Sequence, residues 1–225
     1  LEVLKVSCSV GVIFLFAPLI EKMRLPQVVE HAVLPGSKQI PSLQFFLSFL
    51  ALKLIGKERL SQINDLNFDQ GMGLFAGLNV MPKRSYLAAY SSRIGERGIR
   101  RFMETWFQQV QRIGLSRSAS LDLDFHSVPA NSEKEPLQKH YVSRRSRSQK
   151  GVLVFLARDA EQRVMCYSNA HVTKSGQADE ILRFVQFWEQ QTGQAPQELV
   201  FDSQLTTYAN LHRLDAQGIR FLTLR

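Results

Sequence analysis

Three acidic side chains carry the first chemical signal. Asp122 and Asp124 stand two apart in the alternating run Ser120-Leu121-Asp122-Leu123-Asp124-Phe125, and Asp202 closes the short apolar run Glu198-Leu199-Val200-Phe201-Asp202. Alternation of this kind reads as a strand, which sends residues two apart to the same face. Carboxylates projected from neighbouring strand ends are hard-oxygen ligands of the kind Mg²⁺ takes, together with water. A pair of such ions about 3.5–4 Å apart cleaves a phosphodiester by activating the nucleophile and neutralising the leaving oxygen. Adjacent strands lie about 4.8 Å apart, a spacing that lets two acids share one ion. Asp124 and Asp202 are therefore the candidate catalytic and metal-binding residues, with Asp122 as a helper or a solvated strand end. The competing reading of any single Asp beside a strand is a turn or a cap. His126, two residues past Asp124, is a candidate outer ligand or phosphate contact, or a plain strand-end histidine.

The second signal is basic. Lys139 to Lys150 holds Lys139, Arg144, Arg145, Arg147 and Lys150 with no acid. Such a stretch suits a phosphate backbone, whose counterions are released as each phosphate is neutralised. It equally describes a solvated loop. Tyr141 and His140 could stack on a displaced base. A third candidate is Asp69 to Leu78, a turn at Asn79–Pro82, then Lys83 to Ile94. This spacing fits either a helix-turn-helix that presents Lys83, Arg84 and Arg93 to DNA or a plain helical hairpin. Arg97, Arg100 and Arg101 extend the same basic surface. No Gly-rich phosphate loop, GxSxG or HExxH occurs.

The elements that must position these residues fall into two regions. Up to residue 114 the pattern is helical. Phe45, Phe46, Phe49, Leu50, Leu52 and Leu54-Ile55 form an apolar face ended by Gly56. Ile99, Phe102, Met103, Trp106, Phe107 and Val110 predict a helix from Glu96 to Ile113, stopped by Gly114. From 115 to 225 the period changes. Strands are predicted at 120–125, 152–157 and 163–167, a helix at 178–190, a strand at 198–202, a helix at 206–215 and a last strand at 219–224. The stretch 129–150 shows no period. Asp159, Asp179, Glu180 and Asp215 read as turn, helix-start and exposed helix residues.

Composition bounds the function. The 225 residues carry 28 Lys+Arg against 20 Asp+Glu, a formal net charge of +8, which favours an anionic partner. A hydrophobic fraction of 44% excludes a wholly disordered chain. Cys8 and Cys166 share no CxxC or Cys/His spacing, so neither a disulfide framework nor a zinc finger is indicated, and two lone thiols suit a reducing compartment. Val6 to Ile20, the most apolar stretch, is too short for a membrane span and lacks a signal-cleavage site. It is expected to be a core helix broken near Pro18. The sequence starts at Leu1 and stops on the apolar run Ile219 to Leu224, which reads as a truncated domain.

Three strands in short succession, followed by alternating helices and strands, predict an α/β fold: a ribonuclease-H-like mixed sheet behind an all-helical N-terminal region. In that fold the first and fourth strands are neighbours, which would bring Asp124 to Asp202. The flanks carry a further likeness. Leu121 to Pro129 resembles the first-aspartate motif of bacterial insertion-sequence DDE transposases, and Leu199 to Tyr208 resembles their second. Leu52 to Arg59 and Gly73 to Val80 resemble their helical N-terminal region. The resemblance implies DNA transposition by Mg²⁺- or Mn²⁺-dependent strand cleavage and strand transfer, with Asp124 and Asp202 as the two metal-binding aspartates. It implies double-stranded DNA partners (transposon ends and target), a homodimer on that DNA, and a bacterial cytoplasmic, nucleoid-associated location with no membrane. The family's third ligand is a Glu on a helix beyond the last strand, where this sequence stops, and no residue is assigned to it. The alternative is a non-catalytic remnant that occupies transposon ends or inhibits the full-length enzyme.

Overall fold

The structure is a computed structural model that describes residues 5–130, 137–142, 146–202 and 205–223. The chain divides into two compact units, Leu1–Gln109 and Val110–Arg225.

The first unit is helical: α1 Ala17–Lys22, α2 Leu25–His31, α3 Ser42–Leu54, α4 Gln70–Ala76, α5 Arg84–Ser91 and α6 Glu96–Arg112, within which the division falls. Its core gathers Phe45, Leu52, Ile63, Met72, Met81, Leu87 and Tyr90. Phe45 stacks on Tyr90 at 4.2 Å between ring centroids, and the Arg93 guanidinium lies 5.7–5.9 Å from the rings of Phe45, Tyr86 and Tyr90. Arg93, read from sequence as part of a DNA-facing surface, is thus engaged by an aromatic cluster. The apolar start also differs from expectation. Pro18 sits in the first turn of α1 instead of breaking a longer helix, because a missing N–H is tolerated there. Ile13 is buried, but Leu15 is 78% exposed.

The second unit is built on a six-stranded mixed sheet: β1 Ser120–Pro129, β2 Gln138–Val142, β3 Arg147–Asp159, β4 Met165–Val172, β5 Glu198–Phe201 and β6 Arg220–Thr223. Helices α7 Glu180–Thr192 and α8 Tyr208–Ala216 fall between strands in sequence. The upper half of β3 lies between antiparallel β1 and β4, and β1, β5 and β6 run parallel in that order. The order β4-β3-β1-β5-β6 is that of a ribonuclease-H-like sheet, as expected from sequence. β2 is an addition that the sequence reading missed.

Odd-numbered residues form the inward face, buried at Leu121 and Leu123 of β1 and from Gly151 to Asp159 of β3. Phe155 meets Phe125 at 5.4 Å and Phe184 of α7 at 6.0 Å, and Tyr167 meets Phe184 at 5.5 Å. Cys166 is buried in this layer, where its thiol donates to the Ala157 carbonyl and burial pushes its pKa up to about 12. A thiol so held is no nucleophile. Glu180, read from sequence as a helix-start residue, begins α7 and is fully buried. It accepts from Asn169 Nδ2 at 2.6 Å and pairs with Arg183 at 3.2 Å, because a buried carboxylate must have partners.

Gly151 marks the point where β3 changes neighbours. It registers with Pro129 of β1 and with Gln138 of β2, and a Cβ there would lie 2.4 Å from the Val128 carbonyl oxygen. Since backbone cannot yield as a side-chain end can, Gly151→Ala is expected to cost about 1–3 kcal/mol, read as a lowered urea midpoint. An unchanged midpoint would show that the crossing is not tight.

Candidate metal and nucleic-acid face

The opposite, even-numbered face of the sheet gathers the chemistry. Along the β1–β3 ladder its cross-strand pairs are Asp122–Arg158, Asp124–Leu156, His126–Val154 and Val128–Val152. On the other side of β1, Asp122 registers with Val200 and Leu123 with Phe201 in parallel β5. Asp202 follows Phe201 directly, so backbone alternation sends it to the same face as Asp124, one step beyond the last registered pair. Asp122, Asp124, Arg158, Val200, Asp202 and Leu222 line one open depression of about 550 Å³. The two predicted acids thus stand on one face, Asp124 in the middle of β1 and Asp202 directly after the end of the adjacent β5.

Asp122 and Asp124 differ in their surroundings. Arg158 Nε lies 2.9 Å and its Nη2 2.8 Å from Asp122 Oδ2, so Asp122 is held by a guanidinium. The Asp124 side chain is exposed. Arg158 went unremarked in the sequence. Its signal there was parity: it ends the apolar run on the face that Asp122 shares.

Among the described residues no group of three His, Cys, Asp or Glu side chains stands together as a metal cluster. Two carboxylates over an open depression nevertheless fit Mg²⁺. That ion commonly takes one or two carboxylates and completes its shell with water and phosphate oxygens.

The basic candidates separate. Lys139 and Lys150 are direct cross-strand partners, and Tyr141 registers with Ser148. All four side chains are exposed, and Ser148 and Lys150 continue the even-numbered series of β3, so they share the face of Asp124. Arg147 registers with Val142 on the other parity. His140 is buried. Burial, and after it the Lys174 charge, holds it below the usual histidine range. His140 is therefore packed inward and unavailable for stacking, whereas Tyr141 is 60% exposed. Arg144 and Arg145 lie outside the described residues. In the first unit, Lys83 and Arg84 are exposed at the start of α5. A cation there opposes the helix dipole, so the helix itself does nothing to hold it.

Among the described residues no helix is long and apolar enough to cross a membrane. No protein-family model and no curated protein matches the chain. Among solved structures, the piggyBac transposase synaptic complex with hairpin DNA is similar at a TM-score of 0.44 and 11% identity, over 90% of this chain and 47% of that one. The chain thus spans about half the length of that neighbour.

Proposed function

We propose that the chain carries part of the catalytic core of a DDE-type DNA transposase, in which Asp124 and Asp202 hold a Mg²⁺ or Mn²⁺ ion against a DNA phosphodiester. The observation that carries this reading is the shared placement of Asp124, in β1, and Asp202, directly after the adjacent parallel β5, over one depression. The motif resemblance at Leu121–Pro129 and Leu199–Tyr208 agrees with it. The ion, when bound, would lower the pKa of a water or hydroxyl nucleophile and offset charge on the leaving oxygen. The chain's own residues orient the ligands. Arg158 ties down Asp122, so that Asp124 is the strand's available carboxylate. Lys139 and Lys150 on the same face attract the DNA backbone.

A second reading has one observation in its favour, the absence of a three-ligand cluster among the described residues. In that reading the chain binds transposon ends without cutting them. Incubation of a labelled oligonucleotide duplex with the chain, with Mg²⁺ or with a chelator, separates the two. Metal-dependent nicking supports the enzyme. Retained binding with no cleavage at any Mg²⁺ or Mn²⁺ concentration supports the remnant.

A further inference from the structure

We infer that the β2–β3 hairpin is a single-strand DNA platform, with Tyr141 stacking on an unpaired base and Lys139 and Lys150 gripping its backbone. The hairpin places two lysines directly opposite each other in register, although like charges in that position repel. Among the described residues neither lysine has a carboxylate partner, and a bound phosphate would relieve the repulsion. Two residues along the strand, the large ring of Tyr141 is 60% exposed on the same face, where a core aromatic would be covered. The hairpin is also fixed in place. His140 and Val142 are buried on its reverse side, and the Lys174 N–H donates to Gln138 Oε1 at 2.8 Å. An exposed aromatic beside paired cations on a rigid strand is the arrangement that binds single strands: the ring offers a π-face to any base and the cations follow the backbone.

The position says which strand. From Lys150 to Leu156, the partner of Asp124, β3 runs six residues, or about 20 Å along one face. That is about six nucleotides of a stacked strand at roughly 3.4 Å each. The platform therefore holds unpaired DNA whose continuation reaches the acid pair. This last step rests on the proposed function; the stacking itself does not.

The test is fluorescence anisotropy with the full chain and a fluorescein-labelled mixed-sequence DNA oligonucleotide, single-stranded or annealed to its complement. Tyr141→Ala is expected to weaken single-strand binding about tenfold and to leave duplex binding within about twofold. Tyr141→Phe, which keeps the ring, should bind the single strand like the unaltered chain. Lys139→Gln and Lys150→Gln should each lower the dependence of log affinity on log salt by about 0.7. Unchanged single-strand affinity in Tyr141→Ala, or an equal loss for duplex, would overturn the inference. Single-strand binding is read in chelator and cleavage is read separately in Mg²⁺, so a failed platform and a failed acid pair give different results.

Discussion

Asp124→Asn and Asp202→Asn are each expected to reduce Mg²⁺-dependent DNA cleavage by about 10³-fold or more, with DNA affinity changed by less than about twofold. The amide keeps the size and shape of the carboxylate but removes the charge that a hard divalent ion requires. Loss of one ligand from a two-carboxylate site releases or displaces the ion, and with it several kcal/mol of transition-state stabilisation. The proposed binding surface is elsewhere on the face, at Lys139 and Lys150, so affinity should survive. Asp122→Asn is the internal contrast. Asp122 is already paired with Arg158, so its loss should cost far less cleavage than that of Asp124. Gel-resolved cleavage of a labelled duplex, beside an affinity titration in chelator, gives both quantities. Equal losses in all three variants would mean that the acids act only through the fold.

The largest expected effect on stability lies at Asp159. Its carboxylate is fully buried at the end of β3 and accepts four backbone N–H groups. Arg117 and Ser118 donate to Oδ2, both at 2.8 Å; Glu161 and Gln162 donate to Oδ1 at 3.1 and 2.8 Å. One side chain thereby closes the β3–β4 turn and anchors the segment that enters β1. Burial alone would raise its pKa, but the four N–H groups hold it below the usual aspartate range. Asp159→Ala leaves those donors without an acceptor and should cost about 3–5 kcal/mol in urea unfolding. The pH dependence has a fixed sign. A depressed folded-state pKa gives stability that is complete above the unfolded value of about 3.9 and is lost as pH falls through the folded value. The unaltered chain should therefore lose this contribution only below about pH 4, and Asp159→Asn should lack that acid-linked part. A variant that unfolds at the same urea concentration as the unaltered chain would contradict the assignment.

Much of this architecture was legible because period and burial agree. The alternation at 120–125 and the apolar runs at 152–157 and 198–201 each turn one set of side chains inward, so pattern and structure coincide. β2 escaped notice because His140, a polar residue, takes an inward position beside Val142, so the alternation Lys139-His140-Tyr141-Val142 does not look amphipathic. Asp159 reads as a turn residue and Glu180 as a helix-start residue, and neither reads as buried, because sequence does not display the donors that make a buried carboxylate tolerable. For Asp159 two of the four donors, Arg117 and Ser118, are remote in the chain, and for Glu180 the donor Asn169 lies on β4. The face shared by Asp124, Asp202 and Lys150 follows from parity once strand neighbours are known. Neighbours are a property of topology, so a wrong strand order would have moved Asp202 away while leaving every local reading intact.

The most direct test of the account is paramagnetic NMR with Mn²⁺. Titration of the full chain with substoichiometric Mn²⁺ should broaden the amide signals around Asp124 and Asp202 together, with Mg²⁺ competing the effect away and Asp124→Asn abolishing it at both places. Broadening at one aspartate without the other, or none at either, would contradict a shared ion.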